Sequence, residues 1–242
     1  METFSKYFLY FLTYSFIGWA WEVFLSFVRT HKFVNRGFLN GPYCPIYGIG
    51  ALLFLQLQNF TDRKIELFFL GAVIACALEY LISFTLEKIF KARWWDYSDW
   101  PMNLNGRICI YGFIVFGAAS VIMPSVHTNV ASLYDGLSDQ FRNVLSIVLA
   151  VLFVADIAST NAALAKFNKA LRKYQEKLKL PLFIQKRIDQ GKHAFSLQQR
   201  RILKAFPDFI SIRYEEAFKH IRQLSEKGEK KFKESKFKPI RK

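Results

Sequence analysis

Leu39-Asn40-Gly41-Pro42-Tyr43-Cys44-Pro45-Ile46-Tyr47-Gly48 has a near copy later in the same chain, Leu104-Asn105-Gly106-Arg107-Ile108-Cys109-Ile110-Tyr111-Gly112. Both read LNG, two variable residues, Cys, then IYG, and the second copy has no counterpart of Pro45. Asn, Gly, Tyr and the scarce Cys recurring at fixed spacing point to an internal duplication. Each copy opens a hydrophobic run. That placement makes the chain a set of membrane helices entered through the motif.

Composition agrees. The chain has 242 residues, is 52% hydrophobic and holds 26 Phe and 5 Trp. Residues 1–165 carry 11 Lys+Arg and 11 Asp+Glu, so the net charge of +15 comes wholly from residues 166–242. A neutral apolar body with a basic tail describes an integral membrane protein with a cytoplasmic extension. The division expected is a transmembrane domain over 1–165 and a basic amphipathic tail over 166–242. The opening Met1-Glu2-Thr3-Phe4-Ser5 has no basic n-region and no cleavage site follows, so the first apolar segment is expected to stay as a span.

Five segments approach the ~20 residues needed to cross ~30 Å of hydrocarbon: Tyr7–Val28, Tyr43–Leu57, Ile65–Phe90, Ile108–Pro124 and Val144–Leu164. The second is short, and Pro42, Pro45, Gly48 and Gly50 favour an irregular or re-entrant start. The fold class expected is therefore all-α and polytopic, with five spans. A basic tail inside puts the N-terminus outside. The loops agree: Arg29, Lys32, Arg36 and Lys88, Lys91, Arg93, Arg107 fall inside, against Arg63, Lys64 and Arg142 outside. Trp94, Trp95, Tyr97 and Trp100 are expected as an aromatic belt at the inner surface, and 127–142 as a short outer surface helix.

Glu22-Val-Phe-Leu-Ser26-Phe27 aligns with Glu79-Tyr-Leu-Ile-Ser83-Phe84. The repeat then reads as two parallel hairpins, about 6–58 and 65–124, with the span 144–164 outside it. In the tail, Phe167, Leu171, Tyr174 and Leu178 make an amphipathic helix continuing the fifth span. Ser196-x-x-Gln199 is a capping-box pattern before Ile202, Leu203 and Phe206, and Pro207 ends that helix. Ile210, Tyr214, Phe218 and Ile221 form another stripe, and 227–242 has the composition of disorder.

Chemistry would reside in the polar residues of the apolar part. Glu22, Glu79 and Asp156 lie inside spans, where a charge costs ~2.5–3.5 kcal/mol, so they should face a bundle interior or aqueous cavity. They would contact substrate or a coupling ion, or else make helix–helix hydrogen bonds; Asp156, with Ser159, Thr160 and Asn161, could simply hold the fifth span to the bundle. Asn40, Asn105, Arg36 and Arg107 are the polar members of the motif loops. Arg107 opens a helix, a favourable place for an anion, or else serves as ordinary positive-inside anchoring. Cys44, Cys76 and Cys109 form no metal-ligand spacing and read as buried packing residues.

No Walker A loop, GxSxG, HExxH or Rossmann glycine pattern is present, and His31, His127, His193 and His220 are scattered. No catalytic residue, cofactor or metal is therefore expected, and no nucleic-acid module is evident in the tail. Its cations are expected against anionic lipid headgroups, each worth ~1 kcal/mol near the surface.

Ser15-Phe16-Ile17-Gly18-Trp19 with Trp21-Glu22, then Asn35-Arg36-Gly37-Phe38-Leu39 running into the first motif, resembles the bacterial ABC-transporter permease family of CmpB type. Trp95-Asp96-Tyr97-Ser98-Asp99 followed by Asn103–Cys109 is similar to its second signature, and Gln199–Pro207 to its tail. The resemblance implies a permease in the bacterial cytoplasmic membrane whose ATP-binding subunit is a separate chain, although no EAA-type docking loop is found. Residues alone leave open an intramembrane enzyme acting on a lipid, a non-catalytic scaffold, and a homo-oligomer.

Overall fold

The computed structural model describes residues 2–178 and 197–219. In chain order these form α1 (Glu2–Thr30), α2 (Pro45–Leu57), α3 (Lys64–Phe90), β1 (Ala92–Arg93), α4 (Ile110–Asp135), α5 (Asp139–Leu178), α6 (Leu197–Ala205) and β2 (Ile210–Ser211). Four of them, α1, α3, α4 and α5, are long and apolar enough to cross a membrane. The segment expected as a second span is the 13-residue α2, about 20 Å at 1.5 Å per residue.

The element boundaries have local causes. Pro45 occupies the first helical position of α2, where its missing N–H costs nothing, and Cys44 before it is extended at φ −118°. Lys91 stops α3 by adopting the left-handed conformation at φ 51°. Pro124 was the expected end of the fourth span, yet α4 runs through it to Asp135. The turns beyond it are held by packing: Val130 is buried with Tyr10, Tyr14 and Ala51, and the Tyr14 hydroxyl meets His127 Nδ1 at 2.7 Å. A proline inside a membrane helix is tolerated where neighbours support the broken ladder. There is consequently no separate surface helix over 127–142; that stretch is the end of α4, a turn, and the start of α5.

Side-chain bonds fix how the helices run. Ser5 Oγ donates to Asn143 Oδ1 at 2.7 Å, and Lys6 Nζ to Asp135 Oδ1 at 2.7 Å. The start of α1, the end of α4 and the start of α5 therefore share one end of the bundle. The opposite end carries both motif loops and the tail. α1 packs most extensively against α2, and α3 against α4. Close approach is possible because Gly48 lies against Phe11 and Ser15 of α1, where a Cβ would overlap them.

The first motif loop enters the bundle. Cys44 N donates to Ser15 O at 2.9 Å, and Ser15, in the middle of α1, is fully buried. Non-helical backbone at that depth is acceptable only because protein surrounds it.

The described residues of the tail are folded protein. α5 continues without a break from the apolar segment through Phe167, Leu171 and Tyr174, as the periodicity predicts. Those three residues, however, are buried in a core with Trp94, Ile202, Phe209 and Phe218, so this stripe faces protein and not lipid. Trp94 is correspondingly no headgroup anchor. It is 2% exposed and makes edge contacts with Phe38, Phe90, Phe206 and Phe209. Antiparallel pairing of Ala92 with Ser211 and Arg93 with Ile210 ties the tail to the end of α3. Ile210 thus belongs to a strand and does not share a helix with Phe218. α6 ends at Ala205, just ahead of Phe206-Pro207. Ser196, Ile221 and residues 227–242 lie outside the described residues.

Candidate functional site

The two span glutamates belong to one electrostatic cluster. Glu22, on α1, accepts a hydrogen bond from Tyr47 Oη at 2.5 Å and faces Arg36 Nε at 3.9 Å. Glu79, on α3, accepts one from Tyr97 Oη at 3.3 Å. Each glutamate is within Coulombic reach of the other, and Tyr97 feels both. Burial pushes the Tyr97 phenol well above its ordinary range, with the Glu79 and Glu22 charges adding to the shift, so it remains a proton donor to carboxylate. Glu79 is 7% exposed, and its Oε2 has no hydrogen-bond partner among the described residues. That oxygen faces Gly112, where a Cβ would stand 3.6 Å away. The glycine of the second IYG motif thus leaves room beside the carboxylate.

Asp156 has different work. Its Oδ1 accepts from Asn40 N at 3.1 Å, Asn40 Nδ2 at 2.7 Å and Thr160 Oγ1 at 3.2 Å. Its Oδ2 accepts from Gly41 N at 2.7 Å and Tyr43 Oη at 2.5 Å. Five donors saturate the carboxylate. Asn40 Nδ2 also reaches Ser159 Oγ at 2.9 Å and Thr160 Oγ1 at 3.0 Å. Asp156 and Asn40 are therefore brought together, and α5 holds the first loop.

The second LNG folds otherwise. Asn105 and Gly106 both have positive φ, 55° and 66°, and Arg107 N donates to Leu104 O at 3.0 Å. This is the two-residue turn that Asn-Gly favours. In the first copy the donor position is Pro42, which has no N–H, so the turn cannot close. In that copy Asn40 N and Gly41 N bind Asp156. Asn105 Nδ2 donates to Tyr80 Oη at 2.9 Å. Arg107 Nη2 pairs with Glu87 Oε2 at 2.7 Å, and its guanidinium lies 5.3 Å from the Tyr80 ring centroid. Arg107 is thus paired with Glu87 and stacked over Tyr80.

Arg36 faces two ways. Besides Glu22, its Nη1 donates to Ala205 O at the end of α6. Arg201 reciprocates, donating to Gly37 O at 2.9 Å and Phe38 O at 3.1 Å. The tail is thereby latched to the first motif loop.

With this arrangement in view, comparison with known families is informative. Residues 9–161 match the family described as "Putative ABC-transporter type IV". The chain belongs to that family. Neither the curated proteins nor the solved structures compared with it gave a match. The family segment contains both motif loops, Glu22, Glu79 and Asp156, and it ends close to where α5 leaves the apolar bundle. A transporter-related, multi-pass membrane protein is what the family and the four apolar helices support together.

Tyr47 is not singled out from the residues, and Tyr97 only as a member of an aromatic belt. Both donate phenol protons to span carboxylates, and Tyr47 could have been noticed as the Tyr of the repeated IYG. Its counterpart Tyr111 does not meet Glu79; it is 51% exposed and packs edge-on against Trp100. Cys44, Cys76 and Cys109 are buried and free. Between α3 and α4 lies an apolar groove of about 840 Å³, lined by residues including Cys76, Tyr80, Phe84, Leu104 and Cys109.

Proposed function

We propose that this chain is the permease component of a transport system, and that solute or its coupling ion passes the Glu22–Tyr47 and Glu79–Tyr97 pairs. The observation carrying the reading is Glu79 Oε2, a buried carboxylate oxygen without a partner among the described residues, beside the space left by Gly112. An unsatisfied buried carboxylate is expensive, and such groups cluster where function needs them. The two motif loops, both reaching into the bundle from one end, would form the gate.

The remaining parts of the reading follow. All the cationic loop residues from Arg29 to Arg36 and Lys88 to Arg107 lie at the end that carries the basic tail, which supports a cytoplasmic tail and an outer N-terminus in a bacterial cytoplasmic membrane. α2, helped by the re-entrant stretch before it, would complete a five-segment bundle built on a duplicated hairpin. The ATP-binding subunit would be a separate chain docking on the tail side. Purification of the full chain in mild detergent tests this: an ATP-hydrolysing subunit should co-purify, and its activity should respond to the chain. Repeated recovery of the chain alone would sink the ABC assignment.

The apolar groove favours a second reading, an intramembrane enzyme that holds a lipid chain between α3 and the second motif loop, with Glu79 as its acid or base. A lipid extract altered by the wild type but not by Glu79→Gln would support it over transport.

A further inference from the structure

At the end of α3 a second feature stands apart from the glutamate cluster. A cleft of about 280 Å³ is lined by Ile89, Phe90, Lys91, Lys169, Arg172 and Arg213, together with polar neighbours. Three chain segments build it: the end of α3, the tail portion of α5, and the residues just after β2. Its backbone is fixed. Lys91 takes φ 51°, and its carbonyl accepts from Ile212 N at 2.9 Å and Arg213 N at 3.4 Å. Lys91 and Arg213 are thus held next to one another.

The charge there exceeds what local structure uses. A helix C-terminus presents roughly −0.5 charge, and Lys88 in the last turn of α3 already faces it. Arg172 pairs with Glu176 at 3.0 Å. Four cations, less that one carboxylate, leave a net +3. Among the described residues no ion pair is made by Lys91, Lys169 or Arg213. Beside these charges Ile89 is 65% exposed at the end of a helix apolar enough to span the bilayer. One wall is apolar and the other cationic.

We propose that this cleft binds the phosphate headgroup of an anionic phospholipid. Its volume lies just below the ~300–1,000 Å³ of ligand pockets, so it takes the headgroup while the acyl chains run out along Ile89 and Phe90. The phosphate bridges Lys91, Lys169 and Arg213, and in doing so joins α3, α5 and the segment after β2. The tail is therefore seated on the membrane by one defined lipid and not by diffuse charge. This rests on the membrane placement of α3, and not on the permease role.

The test uses the full chain, delipidated in a neutral detergent and titrated with phosphatidylglycerol, with bound lipid read by native mass spectrometry. Lys169→Gln/Arg213→Gln is compared with Lys32→Gln/Lys204→Gln, which removes the same charge from exposed sites elsewhere. Affinity should fall about 10- to 30-fold in the first variant and stay within about two-fold in the second. Inorganic phosphate in millimolar excess should not displace the lipid. Equal losses in both variants would reduce the cleft to diffuse attraction, and displacement by phosphate would make it a free-anion site; either overturns the proposal. Both variants should keep the wild-type melting temperature in detergent without lipid, since the Lys91–Ile212–Arg213 contacts are made by backbone.

Discussion

Asp156 accepts hydrogen bonds from both the backbone N and the side-chain Nδ2 of Asn40, at 3.1 and 2.7 Å. One carboxylate on α5 thereby fixes the non-helical stretch that carries Gly41 and Tyr43 into the bundle.

Asp156→Asn should loosen that stretch. An amide offers one acceptor oxygen where five donors converge, and its NH₂ would face Gly41 N or Tyr43 Oη. Losing hydrogen bonds to a charged acceptor costs about 1.5–3 kcal/mol each, so thermal unfolding in detergent should show a loss of at least about 2 kcal/mol. Asp156→Glu should not restore it, because the extra methylene displaces both oxygens. An unchanged melting temperature in Asp156→Asn would contradict the clamp.

Glu79→Gln should behave in the opposite sense. Replacing a buried carboxylate that has one unpartnered oxygen removes a desolvation cost, so stability should hold or rise while function falls, as at other strained functional sites. The readouts are melting temperature and uptake or efflux in reconstituted vesicles, with Glu22→Gln/Glu79→Gln as the stronger variant. Full transport by the double variant would falsify the coupling role.

Gly106→Ala should disturb the second loop. Its φ of 66° disfavours any side chain, and a Cβ would overlap Asp96 Oδ1 and Ser98 Oγ. A loss of about 1–3 kcal/mol is expected, against about 1 kcal/mol or less for glycine to alanine where φ is ordinary. Arg107→Pro, which deletes the turn-closing donor, should be comparably harmful, whereas Pro42→Ala should be mild.

Acid should act through Asp96 in the same loop. Burial alone would raise its pKa, but hydrogen bonds from Ser98 Oγ and N and the nearby Arg93 outweigh it and hold the carboxyl below its usual range. A depressed folded pKa means that the stabilisation is fully present above the unfolded value of ~3.9 and is lost as pH falls through the lower folded value. Melting temperature against pH should therefore drop below about pH 4 in the wild type. Asp96→Asn should start lower and show a shallower acid limb; identical limbs would exclude Asp96 as the group responsible.

Much of this architecture was legible in the residues. Long apolar runs without charges have few physical options, and α1, α3, α4 and the apolar part of α5 follow from them directly. The amphipathic run from Phe167 to Tyr174 likewise foretold a continuous helix. What that pattern lacked was the identity of the covering surface: an apolar stripe packs equally well on lipid or protein, and only the core formed with Trp94, Phe209 and Phe218 decides between them. Pro124 misled because a local breaker was overridden by packing around Val130 and His127.

By itself, the sequence determined that a neutral apolar body is entered twice through an LNG motif, and that Glu22, Glu79 and Asp156 must be housed among apolar residues. Tertiary structure decided what each does. Two copies of one tripeptide take different turns because Pro42 cannot donate where Arg107 can, and in the first copy the Asn40 and Gly41 amides are met by an aspartate more than a hundred residues away. Glu22 and Glu79 each meet a phenol from another segment, Tyr47 at the start of α2 and Tyr97 in the loop after β1. Such long-range pairings satisfy buried polar groups, a constraint that acts through space and leaves little trace in local periodicity.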